Sequence, residues 1–418
     1  MNTTEYLKQQ AVDRYLQSGD FNGLSVRLSE LQEIVAIDEL KGLIRDGLVD
    51  INFGDGHPNP HIKATELDPP DIQIDKIDSG QFDRVCIYPT QKTLADILDA
   101  DQFSDRPFTR RLALGEPQLK FYAFDLATLE FYRNDPRYHY RCDDLHGQIS
   151  VSDEYFGSTD MAKKDQVLIQ TFGFCFDQEL NRYLAVYLWY LRGLNPEHQK
   201  VWDARRIDGE FTLHPDYWMS TRGEWPKGVS VFSAFISEQV AVNGLAKRMG
   251  KPNLFHKTYL DNERPKNFAF LIRPTAREFN DFIMTLDHMM SDNINKQFFK
   301  GDIPLERDIE REDGKIVVEE IGTIPLLDKW LSQHFKTEDQ DIINSAIQAF
   351  REVRKLRQRP AHSVTPDEFD QKFVKDQRLI IGEAYHAMSA LRQVFAYHPA
   401  NADYEVDGWL ETAKIRNF

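Results

Sequence analysis

Three cysteines in 418 residues, Cys86, Cys142 and Cys175, stand far apart and form no CxxC pair. That spacing excludes a disulfide framework and a cysteine-based zinc site, and it fits a reducing cytoplasm. No apolar run approaches the ~18 residues a membrane helix needs. Met1-Asn2-Thr3-Thr4-Glu5-Tyr6 has neither the basic start nor the apolar core of a secretory signal. Excess positive charge is missing too. The formal net charge is -16, which excludes coating nucleic acid through bulk electrostatics. There is no GxGxxG before a helix, no P-loop, no GxSxG and no HExxH, so nucleotide-driven and zinc-hydrolase chemistry lack a motif.

What is present suits a multidomain α+β protein, with 41% apolar and 28% charged residues. Residues 1–68 read as a first module. Three helical segments, around Tyr6–Leu16, Leu28–Leu31 and Ile37–Ile44, precede an alternating strand at Leu48–Phe53 and a turn-rich stretch. His61-Ile62-Lys63 is expected to return as a second strand. This order resembles a winged helix. Residues 1–70 carry six basic against twelve acidic residues, so protein contact is the expected role ahead of DNA reading through Lys41 and Arg45. Asp68-Pro69-Pro70-Asp71 is the expected linker.

Residues 71–272 are expected to form a central α+β domain. Strands are predicted at Phe82–Tyr88, Leu119–Phe124 and Leu129–Tyr132. A hairpin is predicted for Pro136–Cys142 with Gly147–Asp153, and helices at Glu179–Leu191 and Ser230–Met249. In the hairpin, Arg137, His139 and Arg141 share one strand face and Tyr138, Tyr140 and Cys142 the other. A half-buried strand explains this pattern more simply than RNA stacking.

Residues 273–418 turn helical. Thr275-Ala276-Arg277-Glu278 has the form of a capping box, and the helix it opens is expected to carry Glu278, Asp287 and Asp292; these acids could orient catalytic groups. Four helices over roughly 120 residues suggest an up-down bundle. The third, expected from Glu338 to about Leu356, carries the apolar stripe Ile343, Ala346, Ile347, Phe350 and Val353. Arg357 follows Phe350 by seven residues, on the same face. Arg351, Arg354, Lys355 and Arg359 make this the one strongly basic stretch of an acidic chain, suited to a phosphodiester. Pro360 ends the helix, and His362 sits in a loop before a fourth helix expected to start at Thr365-Pro366-Asp367-Glu368.

Arg357, Gln358 and His362 resemble the Arg-polar-x3–5-His signature of the HEPN superfamily, helical bundles that include many metal-independent ribonucleases. The resemblance spans about residues 275–396. It implies a homodimer that cleaves RNA without metal or cofactor, with Arg357 on the phosphoryl oxygens, His362 in proton transfer and Gln358 as the motif's polar residue. Arg351, Arg354, Lys355 and Arg359 would contact the RNA. Such bundles are frequent in toxin and antiviral systems, which implies a cytoplasmic, regulated effector with a possible regulatory protein partner and no membrane. The competing readings are that Arg357 pairs with an acid while His362 ends a helix, or that the chain is a non-catalytic scaffold.

Overall fold

The computed structural model describes the chain except residues 1–2, 18–22, 28–29, 31–34, 55–56, 60, 64–65, 81, 83, 143, 158–161, 163–164, 225–228, 261–262, 311–315, 336–339, 359–365, 413–414 and 417–418. It is a mixed α+β protein with a helical C-terminal region. Its two compact units are Met1–Trp225 and Pro226–Phe418.

The N-terminal unit begins with helix α1 (Thr3–Gln17), strand β1 (Leu24–Arg27), helix α2 (Ile37–Arg45) and strand β2 (Val49–Asn52). Helix α3 (Pro70–Ser79) and strand β3 (Arg84–Pro89) follow. The strands form an antiparallel sheet in the order β1-β3-β2, with Ile87 opposite both Leu24 and Ile51. Leu7 and Ala11 of α1, Leu40, Leu43 and Ile44 of α2, and Ile74 and Ile77 of α3 bury their apolar faces on it. The expected return strand His61-Ile62-Lys63 is not a strand. The Asn52 side-chain Nδ2 donates to the Ile62 carbonyl at 2.7 Å, and the Ile62 backbone amide donates to the Asn59 carbonyl, so the segment closes a turn instead. The partner of β2 comes from Arg84–Pro89. Nor is Asp68-Pro69-Pro70-Asp71 a linker, because Pro70 opens α3, where its missing N–H leaves no bond unmade. Gln73 of α3 is fully buried and locks that helix to β2. Its carbonyl accepts from the Ile51 amide at 2.7 Å, and its amide donates to Asp50 and to the Asp68 carbonyl. The first sheet therefore runs past the boundary expected at 68.

A second antiparallel sheet has the order β5-β6-β7-β8-β4-β9. Its strands are β4 (Phe121–Phe124), β5 (Tyr138–Cys142), β6 (His146–Val151), β7 (Leu168–Phe176), β8 (Arg182–Tyr187) and β9 (Arg206–Ile207), with β10 (Thr212–Leu213) on β7. The β5–β6 hairpin forms as expected. Two expected elements change type. Leu129–Tyr132 belongs to a helical stretch, Leu126–Leu129 and Glu130–Arg133. Within Glu179–Leu191, Arg182–Tyr187 is a strand between β7 and β4, and only Leu188–Arg192 is helical. A central strand buried on both faces loses the alternation that separates it from a helix. Beside the sheet, helix α4 (Pro196–Asp203) supplies His198 and Trp202. Trp202 Nε1 donates to the Tyr132 hydroxyl at 2.8 Å, and that hydroxyl lies 2.8 Å from His198 Nδ1. Gly173 of β7 faces Tyr217 so closely that a Cβ would stand 2.2 Å from the ring.

The C-terminal unit is built from α5 (Val231–Arg248), α6 (Ala276–Met289), α7 (Thr323–His334), α8 (Gln340–Gln358) and α9 (Lys372–Ala396). A hairpin of β11 (Glu306–Glu310) and β12 (Ile316–Glu320) lies between α6 and α7. Helix α5 packs on α9, so the unit starts upstream of the boundary expected at 272/273. Phe279, Phe298, Trp330, Phe350 and Phe395 share one core with the buried residues of α5. Helix α9 starts at Lys372 rather than at Pro366. Residues 366–370 are extended instead: the Ala276 amide donates to the Glu368 carbonyl, and the Arg277 amide to the Asp367 side chain. The N-terminus of α6 thus takes up the Glu368 carbonyl and the Asp367 carboxylate, in a segment expected to open α9. Thr365 lies outside the described residues.

Candidate functional site

The stripe of α8 is buried as its spacing predicts, with Ile343, Ala346, Ile347, Phe350 and Val353 all in the core. Its last turn then presents Arg354 and Arg357, three residues apart and so on one face. Opposite them, α6 ends at Met289 with Asp287 in its last turn. Asp287 is 0% exposed. A carboxylate at a helix C-terminus opposes the helix dipole, and burial adds to that cost, so it needs cationic partners. It has two. Arg357 Nη1 donates to Oδ2 at 2.6 Å, and Arg354 Nε donates to the same carboxylate at 3.1–3.2 Å. Ser291 adds a hydroxyl donor on Oδ1 at 2.7 Å.

The turn after α6 brings in a second acid. The Asp292 amide donates to the Asp287 carbonyl at 3.1 Å. The neighbouring Asn293 side chain exchanges hydrogen bonds with the backbone of Lys257 and donates to the Met289 carbonyl, which fixes the turn. Asp292 receives Arg354 Nη2 on Oδ1 at 2.5 Å and Arg357 Nη1 on Oδ2. His288 Nε2 lies 3.6 Å from the same Oδ2. Two guanidinium groups thus share two carboxylates. Burial works to raise the pKa of Asp292, but hydrogen bonds and charge from Arg357 and Arg354 outweigh it, and the carboxyl sits below its ordinary range. The Arg357 guanidinium is held above its ordinary value, chiefly by its bond to Asp287.

The expected site residues divide. Arg357 and Arg354 meet in this cluster together with the flagged acids Asp287 and Asp292. Glu278 is elsewhere, its side chain accepting from the Ile272 and Arg273 amides. Arg351 turns away and donates to Asp328 at 2.6 Å, on the rim of a groove of about 1100 Å³ between α8 and α9. Lys355 is exposed, 3.8 Å from Glu352, and Gln358 is exposed at the helix end. Arg359 and His362 lie outside the described residues. His288 is the addition that sequence reading missed, although its position four residues before Asp292 was a usable signal. On β5, Tyr138 is buried, His139 and Arg141 are exposed, and Arg137 is paired with Asp135 and Asp165, which is the ordinary half-buried strand.

Chemically, the cluster is a pair of oriented guanidinium groups with an imidazole alongside, suited to an oxyanion. Among the described residues, no group of three or more His, Cys, Asp or Glu side chains could hold a metal ion, and no helix is long and apolar enough to cross a membrane. Comparison of the chain with known protein families, curated proteins and solved structures finds no match.

Proposed function

We propose that the C-terminal unit is a HEPN-like endoribonuclease that cleaves RNA without a metal and works as a homodimer. The observation that carries this reading is the Arg357 guanidinium. It is anchored by buried Asp287, yet its side chain remains 32% exposed, one residue before the end of α8 and five before His362. An arginine oriented this way can hold phosphoryl oxygens bidentately. Histidine, whose unperturbed pKa is ~6.5, is the side chain suited to move the proton, and His362 is assigned that role. In the reaction, the RNA 2′-oxygen loses its proton and bonds to the adjacent phosphorus. The bond to the 5′-oxygen breaks, that oxygen takes a proton, and a cyclic phosphate remains. Arg354, Lys355 and Arg359 would contact the strand. A regulated, cytoplasmic toxin or antiviral effector is the role this chemistry fits.

For the N-terminal module, helices packed on a three-stranded antiparallel sheet of order β1-β3-β2 support a winged-helix-like reading, although α3 stands between β2 and β3 where a wing would have a simple turn. Lys41 of α2 is paired with Asp78, which favours protein contact over DNA reading. A non-catalytic scaffold is the second reading for the whole chain, favoured by the two carboxylates that neutralise Arg354 and Arg357. Incubating RNA in chelator with the wild type, Arg357→Ala and His362→Ala separates the two. Cleavage by the wild type that both variants lose supports the ribonuclease. Equal background in all three overturns it.

A further inference from the structure

We infer that Asp292 sits where a phosphate belongs, so the arginine site is occupied by the protein's own carboxylate until an oxyanion displaces it. The inference deepens the ribonuclease reading and draws its biological meaning from it. Two guanidinium donors converge on this one side chain, Arg354 Nη2 on Oδ1 at 2.5 Å and Arg357 Nη1 on Oδ2, and the His288 imidazole stands beside it with Nε2 3.6 Å from Oδ2. Such convergence of guanidinium and imidazole groups on one anion is also what a phosphate ester requires.

The two acids of the cluster are not equivalent. Asp287 is 0% exposed and carries the additional Ser291 bond, so it is the anchor that aims both arginines. Asp292 is 36% exposed and projects from a turn whose backbone is pinned by Asn293. Its side chain can rotate toward water about χ1 while the fold stays in place. With Asp292 withdrawn, Arg354 and Arg357 face Asp287 alone, and the site gains one net positive charge. A phosphodiester carries the same single charge as the carboxylate it replaces, and the tethered carboxylate competes at high effective concentration. The resting site is therefore weak for RNA. A more highly charged anion competes better, because charge-assisted bonds to arginine strengthen with the charge of the acceptor.

The test uses the full chain in chelator with inorganic pyrophosphate as probe. Binding is read by calorimetry for the wild type, Asp292→Asn, Asp292→Ser and Asp292→Asn/Arg357→Ala, and thermal unfolding confirms that each is folded. Both single variants should bind pyrophosphate at least about tenfold more tightly than the wild type, a difference of ~1.4 kcal/mol, and the double variant should lose that gain. Equal affinity in the wild type and both single variants overturns the inference, as does a gain that survives removal of Arg357. The same proteins are then given RNA. Faster cleavage by Asp292→Asn at low RNA concentration supports both the self-occupied site and the ribonuclease. Tighter pyrophosphate binding with no cleavage by any protein leaves the self-occupied site standing and removes the ribonuclease.

Discussion

Two of the arginine–carboxylate sites in the C-terminal unit solve the same problem in opposite ways. Between α5 and α9, Arg392 Nε donates to Glu238 Oε2 at 2.6 Å, with Glu238 0% and Arg392 8% exposed. At the ends of α6 and α8, two arginines about a third exposed share Asp287 and Asp292. The titration of the acids diverges accordingly. Burial dominates at Glu238 and raises its pKa, although Arg392 pulls the other way. At Asp292 two guanidinium groups overcome burial and lower it. One cation deep in the core does not cancel the desolvation of its partner, whereas two at a wet rim do. The first site is a packing element held at a cost; the second keeps charge ready at the surface.

Removing one member of each site should break the comparison most visibly. Arg392→Ala strands a buried carboxylate and is expected to destabilise the protein by about 3–5 kcal/mol, read from urea unfolding. Asp287→Ala should cost less, about 2 kcal/mol, because the freed arginines already reach water and can be hydrated there. If the two losses are equal, the claimed difference in environment fails. The gentlest test is pH. Asp292 has a lowered pKa in the folded protein, so its contribution is present above the ordinary aspartate range and disappears as pH falls through the lowered value. Glu238 has a raised pKa, so its contribution is full below the ordinary glutamate range and declines as pH rises through the raised one. The stability gap between wild type and Asp292→Asn should therefore widen from acid toward neutral pH. The contribution of Glu238 relative to Glu238→Gln should move in the reverse sense over the same unfolding series.

Much of the bundle was legible because its signals are local and periodic. The stripe from Ile343 to Val353 is buried as its spacing indicates. Thr275 caps α6 by accepting from the Glu278 amide at 3.2 Å. The second half of the expected capping box is redirected, since Glu278 reaches Ile272 and Arg273 rather than its own cap. Pro366 failed as a helix start for a non-local reason: residues 366–370 pair with the beginning of α6, nearly a hundred residues away. The same holds for Arg182–Tyr187, where two neighbouring strands override a pattern that reads as helix. At the candidate site, Arg357 could be found because it continues an apolar stripe. Its partners could be flagged as acids but not placed, since which helix end faces which is a matter of tertiary packing.

Helix α9 has a consequence of another kind. Its 25 residues extend about 37 Å, and it packs against α5, α6 and α8. Buried side chains recur from Phe373 through Ile381 and Met388 to Phe395, so no stretch of it is spared from the core. The amides in its middle can exchange with solvent only when the surrounding helices let go together. Deuterium uptake at those positions would therefore report the opening of the whole C-terminal unit.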